Sequence, residues 1–388
     1  MAVSLASPHF LPPIRFSGDP ILRRRVAAAR FPGRRETPGL RIEAGRRVID
    51  GVSEELNALA LQSLDTAAAR RRVRAAFLGE QQRLDHFLFK MAPSGVLMEE
   101  KYETNSKGVE IFWKSWLPNH GISPKASLFF CHGYGDTCTF FFEGIAKRIA
   151  VAGYGVYAMD YPGFGLSEGL HGYIRSFDEM VDHVIEQYAR IRERREVQGL
   201  QHFLLGQSMG GAVALKVHLK QPKDWDGVLL VAPMCKIAED VTPPAAILGA
   251  LSLLSYVLPE AKLFPQKDLG DLAFRDSNKR KMAEYNVISY GDQMRLRTAV
   301  ELIKATCDIE SQLEKVSSPL LILHGAADKV TDPNVSKFLF DEASTQDKTL
   351  KLYEGGYHSI LEGEPDERIL TVINDIIIWL DSHVSSAQ

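Results

Sequence analysis

Apolar residues along this chain gather into short unbroken runs, and between the runs they recur at every third or fourth position. Ala126–Cys131, Gly155–Asp160, His202–Gly206, Gly227–Pro233 and Pro319–Gly325 are such runs, and Lys348–Tyr353 is a more alternating one. Runs without polar interruption suit strands covered on both faces, as in a parallel sheet. The intervening spacing predicts helices over about Phe141–Val151, Phe177–Glu196, the residues after Ser208, Asn334–Ala343 and Ile369–Leu380. Strands alternating with helices imply an α/β fold with a mostly parallel, doubly wound sheet, whose ligands bind at the carboxyl ends of the strands. Ahead of it, Glu99–Thr104 and Val109–Trp116 flank Asn105-Ser106-Lys107-Gly108 and predict an antiparallel hairpin.

Two stretches break the alternation. From about Met234 to Glu310 come Pro243-Pro244, an apolar run Ala245–Leu258, Pro259, Pro265 and a charged helical pattern Arg275–Tyr285. This predicts a helical cap inserted at about 234–310 of an α/β domain spanning 91–388. The apolar run is shorter than the about 20 residues a bilayer span requires. It reads either as a lid helix that meets lipid or as a buried helix of the cap. Residues 46–90 place Val48, Val52, Leu56, Leu59, Leu64, Val73, Phe77 and Leu84 at helical spacing, with Arg70, Arg71, Arg72 and Arg74 among them. A helical N-terminal extension is expected, its basic cluster either a solvated face or a contact for anionic lipid headgroups.

The 388 residues are 45% hydrophobic and 24% charged, which fits one large α/β domain with additions. A formal charge of -3 argues against a nucleic-acid partner. The charge is uneven. Residues 1–44 carry eight Arg against Asp19, Glu36 and Glu43, leaving 38 basic and 46 acidic residues for the rest. That leader is rich in Arg, Pro, Ser and Ala and has no secretory apolar segment. It predicts a transit peptide over residues 1–45, with Ile42-Glu43-Ala44 resembling a chloroplast processing site. Frequent Pro favours the plastid over the mitochondrion; the alternative is a disordered tail on a cytosolic protein. Cys131, Cys138, Cys235 and Cys307 show neither C-x-x-C nor paired metal spacing, so free thiols in a reduced compartment, and no metal or cofactor, are expected. Cys131 and Cys138 are near enough in sequence to permit a redox disulfide.

The chemistry enters at Gly206-Gln207-Ser208-Met209-Gly210, where an apolar run meets a small-residue helical pattern. A G-x-S-x-G turn between strand and helix strains the serine backbone and lifts its hydroxyl above the sheet. A second match, Gly165-Leu166-Ser167-Glu168-Gly169, has loop sequence on both sides, so Ser208 is the candidate nucleophile. A serine hydroxyl needs an imidazole to take its proton and an acid to orient that imidazole. Asp328 follows the Leu320–Leu323 run and His358 follows Lys348–Tyr353, each just past a strand. Asp332 is the rival acid, and His324, inside the strand-end turn, reads as structural. Oxyanion donors are expected from the N–H of Met209 and from that of Tyr134 in His132-Gly133-Tyr134-Gly135. Phe140, Phe141 and Phe142 suit either an acyl chain or packing.

From about Tyr102 to Leu380 the sequence resembles the monoglyceride lipase branch of the α/β-hydrolases, with the plant proteins related to caffeoylshikimate esterase. The resemblance rests on His132–Asp136, Asp160–Gly169, Gly206–Gly211, His324–Pro333, Leu258-Pro259 and Arg295–Thr298. It implies Ser208, Asp328 and His358 as triad, and Tyr134 and Met209 as oxyanion donors. It also implies a small ester substrate, of which a monoacylglycerol is the first reading. A phenolic ester, with Arg275 or Arg297 meeting a polar head, is the second, beside a lysophospholipid. A hydrolase-fold binding protein with little turnover is the alternative of another class. The H-x-x-x-x-D pattern associated with acyl transfer is absent.

Overall fold

A computed structural model describes residues 48–236, 245–264 and 270–384. The Arg-rich leader, Pro243-Pro244 and Pro265 lie outside the described residues. Three helices, α1 (Glu54–Ala60), α2 (Ala67–Gln82) and α3 (Phe87–Lys90), precede the hairpin of β1 (Leu97–Thr104) and β2 (Glu110–Leu117). The alternating part follows as β3 (Ser127–Cys131), α4 (Phe141–Val151), β4 (Gly155–Met159), α5 (Phe177–Arg192), β5 (His202–Gln207), α6 (Met209–Lys220) and β6 (Gly227–Val231). The insertion holds α7 (Ala245–Val257), α8 (Gly270–Ala273), α9 (Ser277–Ala283) and α10 (Leu296–Glu310). The chain ends with β7 (Leu320–Gly325), α11 (Pro333–Glu342), β8 (Lys348–Tyr353) and α12 (Asp366–His383).

The strands form one sheet in the order β1-β2-β4-β3-β5-β6-β7-β8. The pairs β1–β2 and β2–β4 are antiparallel and the others parallel. Every residue of β3, β4, β6 and β7 is buried, as uninterrupted apolar runs require, whereas edge strand β1 alternates between half-buried and exposed positions. After β3 the chain turns to β4 on one side and later to β5 on the other. That reversal opens a crevice at the carboxyl ends of β3 and β5. On one face of the sheet Ile145 and Ile149 of α4 and Val372, Ile373 and Ile376 of α12 share a core with Val73, Phe77 and Leu88 from α2 and α3. The other face is covered by α5 and α6, joined by Leu302, Ala305 and Ile309 of α10. The last helix of the insertion is thus anchored in the domain core, although its sequence falls within the stretch assigned to the cap.

Three of the four N-terminal arginines take neither expected role. Arg70 is fully buried. It donates from Nε to the Gly165 carbonyl (2.5 Å), from Nη2 to those of Ser167 (2.6 Å) and Gly169 (3.2 Å), and from Nη1 to those of Leu64 (2.9 Å) and Asp65 (3.3 Å). Five guanidinium donors in a fixed fork match such a ring of carbonyls. Burial pulls this guanidinium down to about 10, which leaves it charged at neutral pH. Arg71 reaches the Leu166 carbonyl and Glu110, and Arg74 grips Glu100 through both terminal nitrogens. Of the four only Arg72 is exposed. The cluster staples the loop 165–169 to the extension, and a headgroup contact through Arg70, Arg71 and Arg74 is corrected accordingly.

Helix α7 has the reverse character. Its apolar residues Ile247, Leu253, Tyr256 and Val257 are exposed, Leu253 at 71% and Val257 at 72%, so the run is not the buried helix that was one of its two readings. Among the described residues no helix is long and apolar enough to cross a membrane.

Candidate active site

Strand β5 delivers Ser208 into the crevice through a turn that holds it at φ 54 and ψ -121, a conformation that costs a non-glycine residue about 1–3 kcal/mol. Two glycines make the turn sterically feasible. A Cβ on Gly210 would run into the Cys131 carbonyl at the end of β3, and one on Gly206 would meet the Gly210 carbonyl. The backbone is pinned on both sides. Ser208 N–H donates to the Val231 carbonyl (3.0 Å), and its own carbonyl accepts from Gly211 (2.8 Å) and Met234 (2.9 Å).

His358 Nε2 lies 3.1 Å from Ser208 Oγ, and His358 Nδ1 lies 2.7 Å from Asp328 Oδ2. A carboxylate only accepts, so the proton sits on Nδ1 and the Nε2 lone pair faces the hydroxyl. Asp328 Oδ1 accepts the N–H groups of Val330 (2.7 Å) and Thr331 (3.1 Å). Burial alone would raise this carboxyl. Hydrogen bonds from His324 and His358, and attraction to His358, overcome it and hold Asp328 well below the usual carboxylate range. Asp332, the rival acid, instead caps α11, accepting from Asn334 N–H at 2.9 Å. Ser167 of the second G-x-S-x-G is occupied: its hydroxyl donates to the Asp160 carbonyl (2.6 Å) and accepts from Phe112 N–H (2.8 Å).

The loop after β3 passes directly beside the serine, since a Cβ built on Gly133 would stand 3.4 Å from Ser208 Cβ. Tyr134 follows, and Met209 opens α6, where the first N–H groups have no intrahelical acceptor and the helix dipole is positive. The loop is held from three directions. Tyr290 of the insertion donates its N–H to the Gly135 carbonyl (2.7 Å), Cys138 N–H donates to Asp160 Oδ1 (2.7 Å), and His132 Nδ1 lies 2.8 Å from the Gly133 carbonyl. Burial pulls His132 down to about 4, so it stays neutral. Of the three phenylalanines, Phe142 packs in the core against Phe130 and Trp116, while Phe140 and Phe141 meet Phe89 from α3. Cys131 and Cys138 are buried free thiols. Among the described residues no cluster of His, Cys, Asp and Glu could hold a metal ion.

A family model described as serine aminopeptidase, S33, matches residues 122–366. The chain belongs to this family. It is 34% identical over 302 residues to the caffeoylshikimate esterase of Arabidopsis thaliana, covering 75% of this chain and 91% of that protein. It is 30% identical over 285 residues to the monoglyceride lipase of Homo sapiens, covering 73% and 90%. A solved structure of a soluble variant of monoglyceride lipase from Saccharomyces cerevisiae, in complex with a substrate analog, superposes with a TM-score of 0.64. At 22% identity, covering 76% of this chain and 100% of that one, the likeness is one of fold. Helices α1–α3 and the β1–β2 hairpin precede the family match.

Sequence spacing gave no sign of a second acidic layer behind the elbow of this hydrolase. Gln207 Nε2 donates to both oxygens of Glu362 (2.9 and 3.1 Å), and Asn286 Nδ2 donates to Asp136 Oδ1 (3.2 Å). His86 of the extension lies with Nε2 2.9 Å from the Glu362 carbonyl. Burial, reinforced by the charge of Glu362, pushes Asp136 up to about 7, and burial pushes Glu362 up to about 6. Both carboxyls therefore bind a proton more tightly folded than unfolded. Their contribution to stability is fully present below about pH 4 and is lost as pH rises through about 6 to 7. The denaturant midpoint of Asp136→Asn should consequently fall less between pH 5 and pH 8 than that of the wild type. Parallel curves for the two proteins would contradict this assignment.

Proposed function

We propose that this protein hydrolyses a carboxylic ester through an acyl-enzyme on Ser208, with a monoacylglycerol as substrate. The observation that carries the reading is the chain of hydrogen-bond distances from Ser208 Oγ through His358 to Asp328, 3.1 and 2.7 Å. His358 takes the hydroxyl proton as Ser208 attacks the carbonyl carbon, and Asp328 stabilises the imidazolium that forms. The N–H groups of Tyr134 and Met209 receive the oxyanion. His358 then protonates the leaving alcohol, and a water activated by the same imidazole releases the acid. Monoglyceride lipases from Homo sapiens, Mus musculus and Saccharomyces cerevisiae among the relatives support a lipid ester. So does the exposed apolar face of α7, which suits contact with the lipid surface that supplies such a substrate.

A phenolic ester is the second reading, favoured by the 34% identity to a caffeoylshikimate esterase against 30% to a monoglyceride lipase. Of the two arginines expected to meet its polar head, Arg297 is engaged by the Arg175 carbonyl (3.0 Å) and Glu301 (3.1 Å). Arg275 is 44% exposed and stands 3.6 Å from Glu364. We assign the chain to the plastid on its Arg-rich leader.

A fluorophosphonate probe should label the wild type and Ser167→Ala but not Ser208→Ala. On a panel of monoacylglycerol, lysophosphatidylcholine and caffeoyl shikimate, Ser208→Ala should lose about 10⁴-fold or more in kcat. Persisting label on Ser208→Ala would remove the nucleophile assignment, and preference for the phenolic ester would promote the second reading. Leu253→Asp combined with Val257→Asp should slow hydrolysis of monoacylglycerol in lipid vesicles while sparing a short soluble ester; equal activity on both would dismiss the membrane contact. A reporter fused to residues 1–60 should enter isolated chloroplasts, and its exclusion would reject the plastid assignment.

A further inference from the structure

The acid of the proposed triad serves two imidazoles. Asp328 Oδ2 lies 2.7 Å from His358 Nδ1 and 3.0 Å from His324 Nε2. His324 is fully buried on β7, and its Nδ1 lies 2.7 Å from the hydroxyl of Ser336, which is fully buried on α11. The direction of these bonds follows from what each atom can do. His324 Nε2 faces Asp328 Oδ2 and the Thr331 carbonyl (3.1 Å), which only accept, and the Thr331 hydroxyl (3.3 Å), so it carries the proton. Nδ1 is then the acceptor, and the Ser336 hydroxyl donates to it. The result is a mirrored chain, Ser208–His358–Asp328–His324–Ser336, in which each serine gives its proton to an imidazole and each imidazole gives one to the same carboxylate oxygen. One arm opens into the crevice and the other is sealed in the core.

The oxygen at the centre has two lone pairs and three candidate donors, because the Thr331 hydroxyl is also within 2.9 Å. That hydroxyl has an alternative acceptor in the Ala232 carbonyl at 3.2 Å, presented by a residue strained to φ 44. When Thr331 turns to Ala232, the two lone pairs of Oδ2 go to the two imidazoles. With Oδ1 fixed by the N–H groups of Val330 and Thr331, the carboxylate has no freedom to rotate away from His358.

We propose that His324 is a positioning residue of the hydrolytic reaction, holding Asp328 ionised and oriented toward His358. The proposal rests on the catalytic roles given above. Its physical ground is that a buried carboxyl without enough donors takes up a proton, and a protonated Asp328 could neither fix the His358 tautomer nor stabilise the imidazolium. The hydrogen bond from His324 heads the interactions that keep this carboxyl low against burial.

The experiment compares His324→Leu, which removes the donor, with His324→Gln, whose side-chain amide can replace the Nε2–H. Ser336→Ala is the third variant. Turnover of a soluble ester should fall about 30-fold in His324→Leu with KM changed less than about twofold, a loss of the order known for removing the hydrogen-bond partner that orients a metal-binding histidine. His324→Gln should restore most of kcat. Thermal midpoints are measured in parallel. Unchanged kcat in His324→Leu overturns the proposal, and so does an equal loss in the Leu and Gln variants, since the hydrogen bond would then be immaterial. If His324→Leu does not fold, Ser336→Ala decides: slowed kcat at unchanged KM supports the relay, and wild-type turnover overturns it. Failure of the triad itself is distinguishable, because it appears as fluorophosphonate labelling of Ser208→Ala with His324 intact.

Discussion

One close approach governs the rest of this molecule: Gly210, in the first turn of α6, lies so near the Cys131 carbonyl at the end of β3 that no side chain fits between them. That contact brings the helix that follows Ser208 down onto the strand whose next residues form the loop beside that serine. It therefore sets the distance between Ser208 and the expected donor at Tyr134. The strain at Ser208 is tolerable because its backbone is bonded to β6 through Val231 and to the chain beyond it through Met234. A strained residue persists only when its surroundings over-determine it. Here three strands that are neighbours in the sheet, β3, β5 and β6, all contribute to holding one turn.

The parts of the fold that were legible in the sequence are those whose burial is two-sided. The runs 126–131, 155–160, 227–233 and 319–325 permit almost no alternative, and the helix expected at Phe141–Val151 has those bounds in the structure. The meeting of Ser208, His358 and Asp328 was legible because each follows a strand end, and strand ends of a parallel sheet converge on one crevice. What could not be read were contacts made by single long side chains across large sequence distances. Arg70 to Gly165 and Gln207 to Glu362 leave no periodic trace, because a buried arginine on an otherwise ordinary helix looks like a solvated one. Helix α10 was absorbed into the cap for a related reason. Its apolar face is amphipathic in the usual way, and nothing local says whether that face meets the cap or the domain core.

The extension ahead of the family match is built into the same structure. Asp65, between α1 and α2, accepts from Arg295 Nη2 at 2.7 Å, while Arg295 also donates to the carbonyls of His171 (3.0 Å) and Glu260 (2.8 Å). Tyr285 of the insertion donates its hydroxyl to the Asp50 carbonyl (2.7 Å) and accepts from Gln81 at its own carbonyl (2.7 Å). A few residues on, Tyr290 bonds Gly135 in the loop beside Ser208. Residues 285–295 are thus a strap fastened to the extension at several points and to the loop beside Ser208 at another.

That strap bears on how the cap can move. Arg295 is almost fully buried and bonded to three partners, so detaching it would strand a desolvated charge and several carbonyls. Among the described residues helix α7 shows no comparable hydrogen-bonded tie: Ile247, Leu253, Tyr256 and Val257 are exposed, and it packs chiefly on α10, where Arg297 lies 5.1 Å from the Tyr256 ring. Any adjustment of the insertion to a substrate is therefore cheapest at α7 and most costly at 285–295. The loop that passes beside Ser208 at Gly133 is thus fastened, through Tyr290 and Gly135, to the part of the insertion that is most costly to move.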